Sequence, residues 1–299
     1  MATSTATTAG RVASYLRFVK IEHSLFALPL VLIGGLEGFR AAGAAPLAPE
    51  AWPVWGLIVL AAVAARTAAM ALNRIVDRHI DARNPRTAAR ELPAGRLKSA
   101  EAWALVVVSF AVLFLAAWRL NPLCLALAPV LVALFTLYPY AKRFTAGAHF
   151  VLGAAWACGP AGGFLAVTGG FAGSTAVAAL AAAAFLWVAG FDILYALLDV
   201  DFDRAHRLHS VPARVGPLRG LRLARGLHGL VVVLFALFGW LAGLGWPYWL
   251  AWLVVAALLH YEHARARRLD AASINIAFFH VNAAIGWIVL AGVVAGRLA

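Results

Sequence analysis

Nine apolar stretches, each near the length needed to cross a bilayer, leave this chain few folds to adopt. They fall near residues 24–42, 53–74, 101–119, 122–140, 148–168, 174–198, 222–243, 247–262 and 273–296. A hydrocarbon core about 30 Å thick takes about 20 helical residues. In lipid every backbone amide must be satisfied within its own segment, so each stretch is predicted as a helix. A soluble chain of 299 residues is not 64% apolar throughout, and a polytopic all-α membrane protein is expected.

The charges test this count. Cytoplasmic loops carry an excess of Lys and Arg. With the N-terminus inside, nine spans put 21 of the 25 basic residues on the cytoplasmic side. Three precede the first span, seven lie at 74–98, two at 142–143, six at 204–225 and three at 265–268. Arg40, Arg119 and Arg297 fall outside, and Arg66 lies within a span. One span more or fewer scrambles the bias, so the C-terminus is expected outside. A net charge of +12 is accounted for in this way, and no nucleic-acid partner is expected. Nor is an obligate protein partner implied.

Residues 1–23 are predicted as a small polar tail and a basic interfacial helix from about residue 11, with no cleavable signal. Pro29, Pro129 and Pro160 fall inside spans, where neighbouring helices can re-satisfy the freed carbonyls. Gly34 with Gly38, and Gly239 with Gly243, suit close helix packing. Cys124 and Cys158 lie in apolar runs and imply neither a disulfide framework nor a zinc site. No two histidines have a convincing zinc spacing. His149, His260, His280, Asn275 and Asn282 are expected to make interhelical hydrogen bonds.

The acids are few and gathered. Six of the seven aspartates lie in two stretches, and Asp270 alone is elsewhere. Asn73, Asp77 and Asp81 stack at i, i+4 and i+8 on one helical face where span 2 ends. Asp192, Asp199, Asp201 and Asp203 mark the end of span 6. Such oxygen donors suit a hard cation, and magnesium is usually shared between carboxylates and a substrate's phosphates. Each stretch is followed by a Pro-Ala pair, at Pro93-Ala94 and Pro212-Ala213. This weak repeat predicts two similar halves, with the acidic clusters facing each other across a central cavity. Arg86, Lys142 and Arg143 are candidates for direct diphosphate contact, the plainer reading being that they are positive-inside anchors. Arg66 lies two turns below Asn73, and Asp192 lies at the equivalent depth on span 6. They are read either as a buried ion pair locking the two spans or as part of an acceptor site. Phe26, Tyr138, Tyr140, Phe191 and Tyr195 are candidates to line the cavity, since ring faces attract cations.

The stretch 73–81, followed by Asn84-Pro85-Arg86-Thr87 and Leu92-Pro93-Ala94-Gly95, resembles the first motif of the UbiA-type intramembrane prenyltransferases. Tyr138-Pro139-Tyr140, with Lys142 and Arg143, is similar to the family's tyrosine–proline–lysine–arginine segment. Asp192, Tyr195, Asp199, Asp203 and His209-Ser210 resemble its second aspartate motif. The likeness covers nearly the whole chain, so 1–299 is expected to be one domain. Arg74 departs from the pattern, since many members carry aspartate there.

The resemblance implies nine helices around a cavity open sideways to lipid. Asn73, Asp77, Asp81, Asp199 and Asp203 would serve a magnesium–diphosphate site, with Asp77, Asp81, Asp192 and Asp199 as the catalytic acids. Arg86 and Lys142 would contact the diphosphate. Arg66 would hold the acceptor's carboxylate. Arg143, Tyr138 and Tyr195 complete the expected substrate contacts. The branch it most resembles is the bacterial 4-hydroxybenzoate polyprenyltransferases of ubiquinone biosynthesis. A similar branch is the one proposed for futalosine-route menaquinone synthesis, with a dihydroxynaphthoate acceptor. Substrates are then a polyprenyl diphosphate and an aromatic acid. The expected location is the bacterial cytoplasmic (inner) membrane, with the site facing the cytoplasm. A transporter would carry polar residues through its spans, whereas here they gather at the cytoplasmic ends. A scaffold has no use for six clustered aspartates.

Overall fold

The structure, a computed structural model, describes residues 8–19, 24–275 and 281–299. Among the described residues it contains α1 (Thr8–Val19), α2 (Ser24–Ala41), α3 (Trp52–Asp81), α4 (Ser99–Leu120), α5 (Pro122–Ala141), α6 (Ala148–Thr168) and α7 (Thr175–Ala196). Then follow α8 (Val200–Ala205), α9 (Val211–Val215), α10 (Pro217–Ala242), α11 (Trp246–Ala266), α12 (Ala271–Asn275) and α13 (Asn282–Leu298). Six helices, α3 to α7 and α10, are long and apolar enough to cross a membrane, judged by length and composition. The ninth predicted stretch begins on α12, passes through residues outside the described ones and continues as α13. Pro29, Pro129 and Pro160 lie inside α2, α5 and α6 as expected.

Local signals place the helix ends. Asn121 is extended, accepts from the Cys124 amide at 2.9 Å and precedes Pro122, so α5 starts there. The same side chain donates to the Leu165 carbonyl at 2.8 Å, tying that end to α6. Glu101 accepts from the Lys98 amide at 2.8 Å at the start of α4. Asp270, the seventh aspartate, accepts from the Ser273 amide at 2.8 Å. That bond caps α12 and holds the carboxyl below its usual range.

Helix α7 is the central element. Trp187, Val188 and Ala189 are fully buried, and it packs on α6 and α10. Helix α2 packs on α6 and α13, α3 on α4 and α5, and α11 on α13 and α10. Phe18 of α1 is buried against α3 and α4, so the basic N-terminal helix is docked on the bundle. Glu37 of α2, 1% exposed, accepts from Arg297 of α13 at 2.6 Å and from Arg40 at 2.9 Å. The C-terminal ends of α2 and α13 therefore share one face of the bundle.

The glycine pattern divides. A Cβ on Gly34 would lie 2.0 Å from the Pro160 carbonyl oxygen, and one on Gly38 2.9 Å from that of Phe164. Both glycines thus seat α2 on α6. Gly239 packs against the Tyr248 ring, but Gly243 does not serve packing. It ends α10 at φ 66°, a left-handed cap. Gly163, from the α6 side, approaches the Val31 carbonyl, which a Cβ would meet at 2.1 Å. Backbone cannot swing aside, so Gly163→Val is expected to cost about 3 kcal/mol or more. Gly229→Ala meets nothing within 4 Å and should be neutral or stabilising. Thermal unfolding of the two variants in detergent checks this, and equal melting points would refute the close α2–α6 seat.

Candidate active site

Helix α3 runs unbroken to Asp81, so Arg66, Asn73, Asp77 and Asp81 share the predicted face. Helix α7 does not mirror it. It ends at Ala196, and Leu197–Asp199 form a 3-10 turn before α8. That tighter winding turns Asp199 off the α-helical line from Asp192.

The two acidic stretches meet across a shell of basic groups. Arg86, in the loop after α3, donates from Nε to Asp199 Oδ1 at 3.0 Å and pairs with its other oxygen through Nη2. Asn84 donates to the same Oδ1 at 2.9 Å. The Arg86 guanidinium also donates to the Tyr195 hydroxyl at 2.6 Å and lies over that ring, 4.9 Å from its centre. Lys142, at the end of α5, pairs with Asp77. Arg90 places one nitrogen 2.7 Å from both oxygens of Asp81. Ser210 caps α9 and donates to Asp203 at 2.7 Å. The His209 amide donates to the Lys142 carbonyl at 2.6 Å, joining the loop after α8 to the end of α5.

Asp192 is held by His149 of α6. The His149 Nε2 accepts from the Val211 amide at 3.2 Å, so its proton sits on Nδ1 and is donated to Asp192 Oδ2 at 2.6 Å. The expected interhelical role of His149 is therefore met, with Asp192 as partner. Asn282 also meets it, through Trp187 and Glu262. His260 and Asn275 are exposed instead, and His280 lies outside the described residues.

Beneath the ion pairs lies a cavity of about 740 Å³ between α2, α3, α4, α5, α6 and α7. Its walls are largely aliphatic. Its polar lining includes Arg66, Asn73, Arg86, Tyr138, Asp192 and Tyr195. Phe191, Trp156 and Phe135 supply further rings. Cys124 and Cys158 are free thiols on its wall.

Some expectations need correcting. Tyr140 is 43% exposed and lies under Arg143, with the guanidinium 5.1 Å from its centre, away from the cavity lining. Arg143 donates to the Val76 carbonyl at 2.7 Å and stands 3.7 Å from Asp77 Oδ1. It braces the end of α3 from the rim. Adjacent in the chain, Lys142 and Arg143 divide the work: Lys142 pairs with one Asp77 oxygen, and Arg143 reaches the α3 backbone. The Phe26 side chain lies outside the described residues. Asp201 is exposed. Conversely, Asn84 of the first motif and Arg90, which lies among the loop charges, have no role predicted from sequence, and each holds an aspartate. Arg74, counted with the loop charges, is 5% exposed, lines the cavity, and its Nε has no hydrogen-bond partner. Burial of that arginine had no sequence signal beyond its departure from the family pattern.

The donors fit a hard divalent cation. Asn73, Asp77, Asp81, Asp199 and Asp203 offer only oxygen. Asp77 Oδ1 is buried with no hydrogen-bond partner, as a ligand oxygen reserved for a cation would be.

Helices apolar enough to cross a membrane, around an apolar cavity topped by paired acids and bases, define a class: membrane-helix proteins with a site for a molecule that has a charged head and an apolar body. The family follows from comparison. Residues 27–293 match the UbiA prenyltransferase family, and the chain belongs to it. The chain is 35% identical over 220 residues to 4-hydroxybenzoate octaprenyltransferases of Citrobacter koseri and Salmonella paratyphi B, covering 73% of this chain and 74% of each relative. A UbiA homolog from Aeropyrum pernix K1, solved in its apo form, superposes with a TM-score of 0.82 at 34% identity, over 93% of this chain and 98% of that one. A UbiA homolog from Archaeoglobus fulgidus, solved bound to DMAPP and Mg2+, shares the fold with a TM-score of 0.66 at 19% identity, over 93% and 99% of the two chains. The protein is thus a prenyltransferase.

Proposed function

We propose that the chain transfers a polyprenyl group from an allylic polyprenyl diphosphate to a 4-hydroxybenzoate-like aromatic acid, in a Mg2+-dependent step of quinone biosynthesis. The observation that carries this is the ring of acid–base pairs over a large apolar cavity. The identity to 4-hydroxybenzoate octaprenyltransferases supports the acceptor class.

Asn73, Asp77, Asp81, Asp199 and Asp203 are the residues to hold magnesium, which when bound neutralises diphosphate charge and so assists its departure. Every pair at the site joins a carboxylate to a base. With cations held by the carboxylates, Lys142, Arg86 and Arg90 would be free to donate to diphosphate oxygens. The protein thus exchanges internal ion pairs for contacts with the substrate, and few charges are left bare at any stage. Tyr195, Tyr138 and Phe191 present rings to the allylic cation. Arg66, a cation at membrane depth, holds the acceptor carboxylate so that the carbon beside the phenol faces that cation. Asp192, fixed by the His149 proton, hydrogen-bonds the acceptor or takes its ring proton. The prenyl tail lies along the aliphatic walls.

We read the whole chain as one domain of nine spans in the bacterial inner membrane, with the N-terminus and the site cytoplasmic and the C-terminus outside. Two observations support this. The ends of α2 and α13 meet at the Glu37–Arg297 pair, as an odd number of spans requires. Nine spans also put 21 of the 25 basic residues on one side.

The test uses purified protein in detergent with geranyl diphosphate and either 4-hydroxybenzoate or a dihydroxynaphthoate, with product followed by mass. Prenylated hydroxybenzoate that disappears with EDTA and returns with Mg2+ is expected. Preference for the naphthoate would move the protein to the menaquinone branch. Diphosphate release without either product would discard the aromatic acceptor. No release with this donor or longer ones would revive the transporter reading.

A further inference from the structure

A second cluster of metal-binding groups lies where α7, α10, α11 and α13 meet. His228 of α10 and Glu262 and His263 of α11 are 1%, 0% and 5% exposed. The His228 Nε2 lies 3.1 Å from the Trp187 carbonyl oxygen, which only accepts, so that nitrogen carries the ring proton. In the neutral ring Nδ1 is then a bare lone pair. It faces His263 Nε2 at 3.0 Å and Glu262 Oε2 at 3.2 Å. A proton on His263 Nε2 satisfies the first contact only. The carboxylate oxygen still opposes a lone pair, and Glu262 Oε2 is a buried atom with no hydrogen-bond partner. Such an arrangement is costly in a low-dielectric interior.

A cation between the three atoms removes that repulsion, and all three lie within 4.8 Å of one another, close enough to share one. Tetrahedral zinc with bonds of about 2.0–2.1 Å sets its ligand atoms about 3.3 Å apart. Two of the three groups are held from behind, while His263 Nδ1 is buried with no hydrogen-bond partner. The other His228 nitrogen is anchored on a carbonyl. The other Glu262 oxygen accepts from Asn282 at 2.8 Å, and Asn282 accepts from Trp187 Nε1 at 2.7 Å. A Cβ on Gly190 would stand 2.3 Å from His228 Nε2, so glycine there lets the ring reach α7. Two imidazoles with one carboxylate favour a zinc-class ion over magnesium, which prefers oxygen.

We propose that His228 Nδ1, His263 Nε2 and Glu262 Oε2 bind one divalent transition-metal ion, separate from the aspartate clusters, that clamps α10 to α11. Three protein ligands leave a fourth tetrahedral position for water. The full-length protein in detergent would be stripped with chelator, loaded with zinc chloride and washed in excess magnesium chloride to clear the aspartates. Mass-spectrometric metal analysis should find one zinc per chain in the wild type and in the Asp77→Asn/Asp199→Asn double variant. Glu262→Gln and His263→Gln should lower retention by about tenfold or more. Cobalt in place of zinc should give the wild type the strong visible absorption of a tetrahedral site. If the variants do not elute as single species, that wild-type spectrum decides: weak octahedral absorption alone overturns the proposal. So does failure of the wild type to retain zinc, or equal retention in Glu262→Gln and His263→Gln. Either result leaves an imidazolium–carboxylate hydrogen-bond network.

Discussion

Asp199→Asn is expected to reduce kcat/KM by about a thousandfold, or about 4 kcal/mol of transition-state stabilisation. The substitution keeps size and removes charge. On the proposed reading it takes a ligand from the cation site, and it leaves Arg86 and Asn84 without the carboxylate to which both donate. The first effect falls on diphosphate departure, because charge developing on the leaving group is no longer neutralised. The second disorders the very arginine expected to hold that diphosphate. Asp201→Asn is the internal control. It lies two residues away in the same acidic stretch but is exposed, so its rate should stay within about twofold of wild type. The comparison separates a specific ligand from the general acidity of the segment. Diphosphate release and prenylated product, measured on both variants at saturating magnesium, decide it. Equal loss in the two, or more than a tenth of wild-type activity in Asp199→Asn, would sink the assignment.

Arg66→Leu should raise KM for 4-hydroxybenzoate by about a hundredfold while leaving KM for the prenyl diphosphate unchanged. A charge-assisted pair with a carboxylate in a largely apolar cavity is worth about 1.5–3 kcal/mol. Arg66 lines that cavity two turns below Asn73 on the same unbroken helix, so its loss is felt by the acceptor and not the diphosphate. Arg66→Lys should recover part of the loss, because charge is kept and the planar fork is not. A phenol lacking the carboxylate makes the argument sharp. It should be prenylated slowly and equally by wild type and Arg66→Leu. If the acid-bearing and acid-free rings lose rate alike, Arg66 only holds α3 in place.

Much of this protein was legible in its residues. Long apolar runs in lipid have one backbone solution, so the helix positions at 99–120, 122–141 and 148–168 follow closely from hydropathy. Spacing put Arg66, Asn73, Asp77 and Asp81 on one face because an uninterrupted helix has a fixed period. The weak repeat of the two aspartate stretches, each followed by Pro-Ala, led to the expectation that those stretches face each other.

Tertiary structure decided which base holds which acid. Lys142 on Asp77, Arg86 with Asn84 on Asp199, and Arg90 on Asp81 join residues up to 115 positions apart. Loop path and side-chain direction set those pairs, and periodicity carries neither. The 3-10 turn at Leu197–Asp199, the outward lean of Tyr140 and Arg143, and the burial of Arg74 belong to the same kind of information. So does the His228–Glu262–His263 cluster. His228 and His263 stand 35 residues apart on different helices, and only packing around α7 brings their ring nitrogens together. A one-dimensional pattern specifies what each helix must bury; which buried groups then confront one another is a property of the packed bundle.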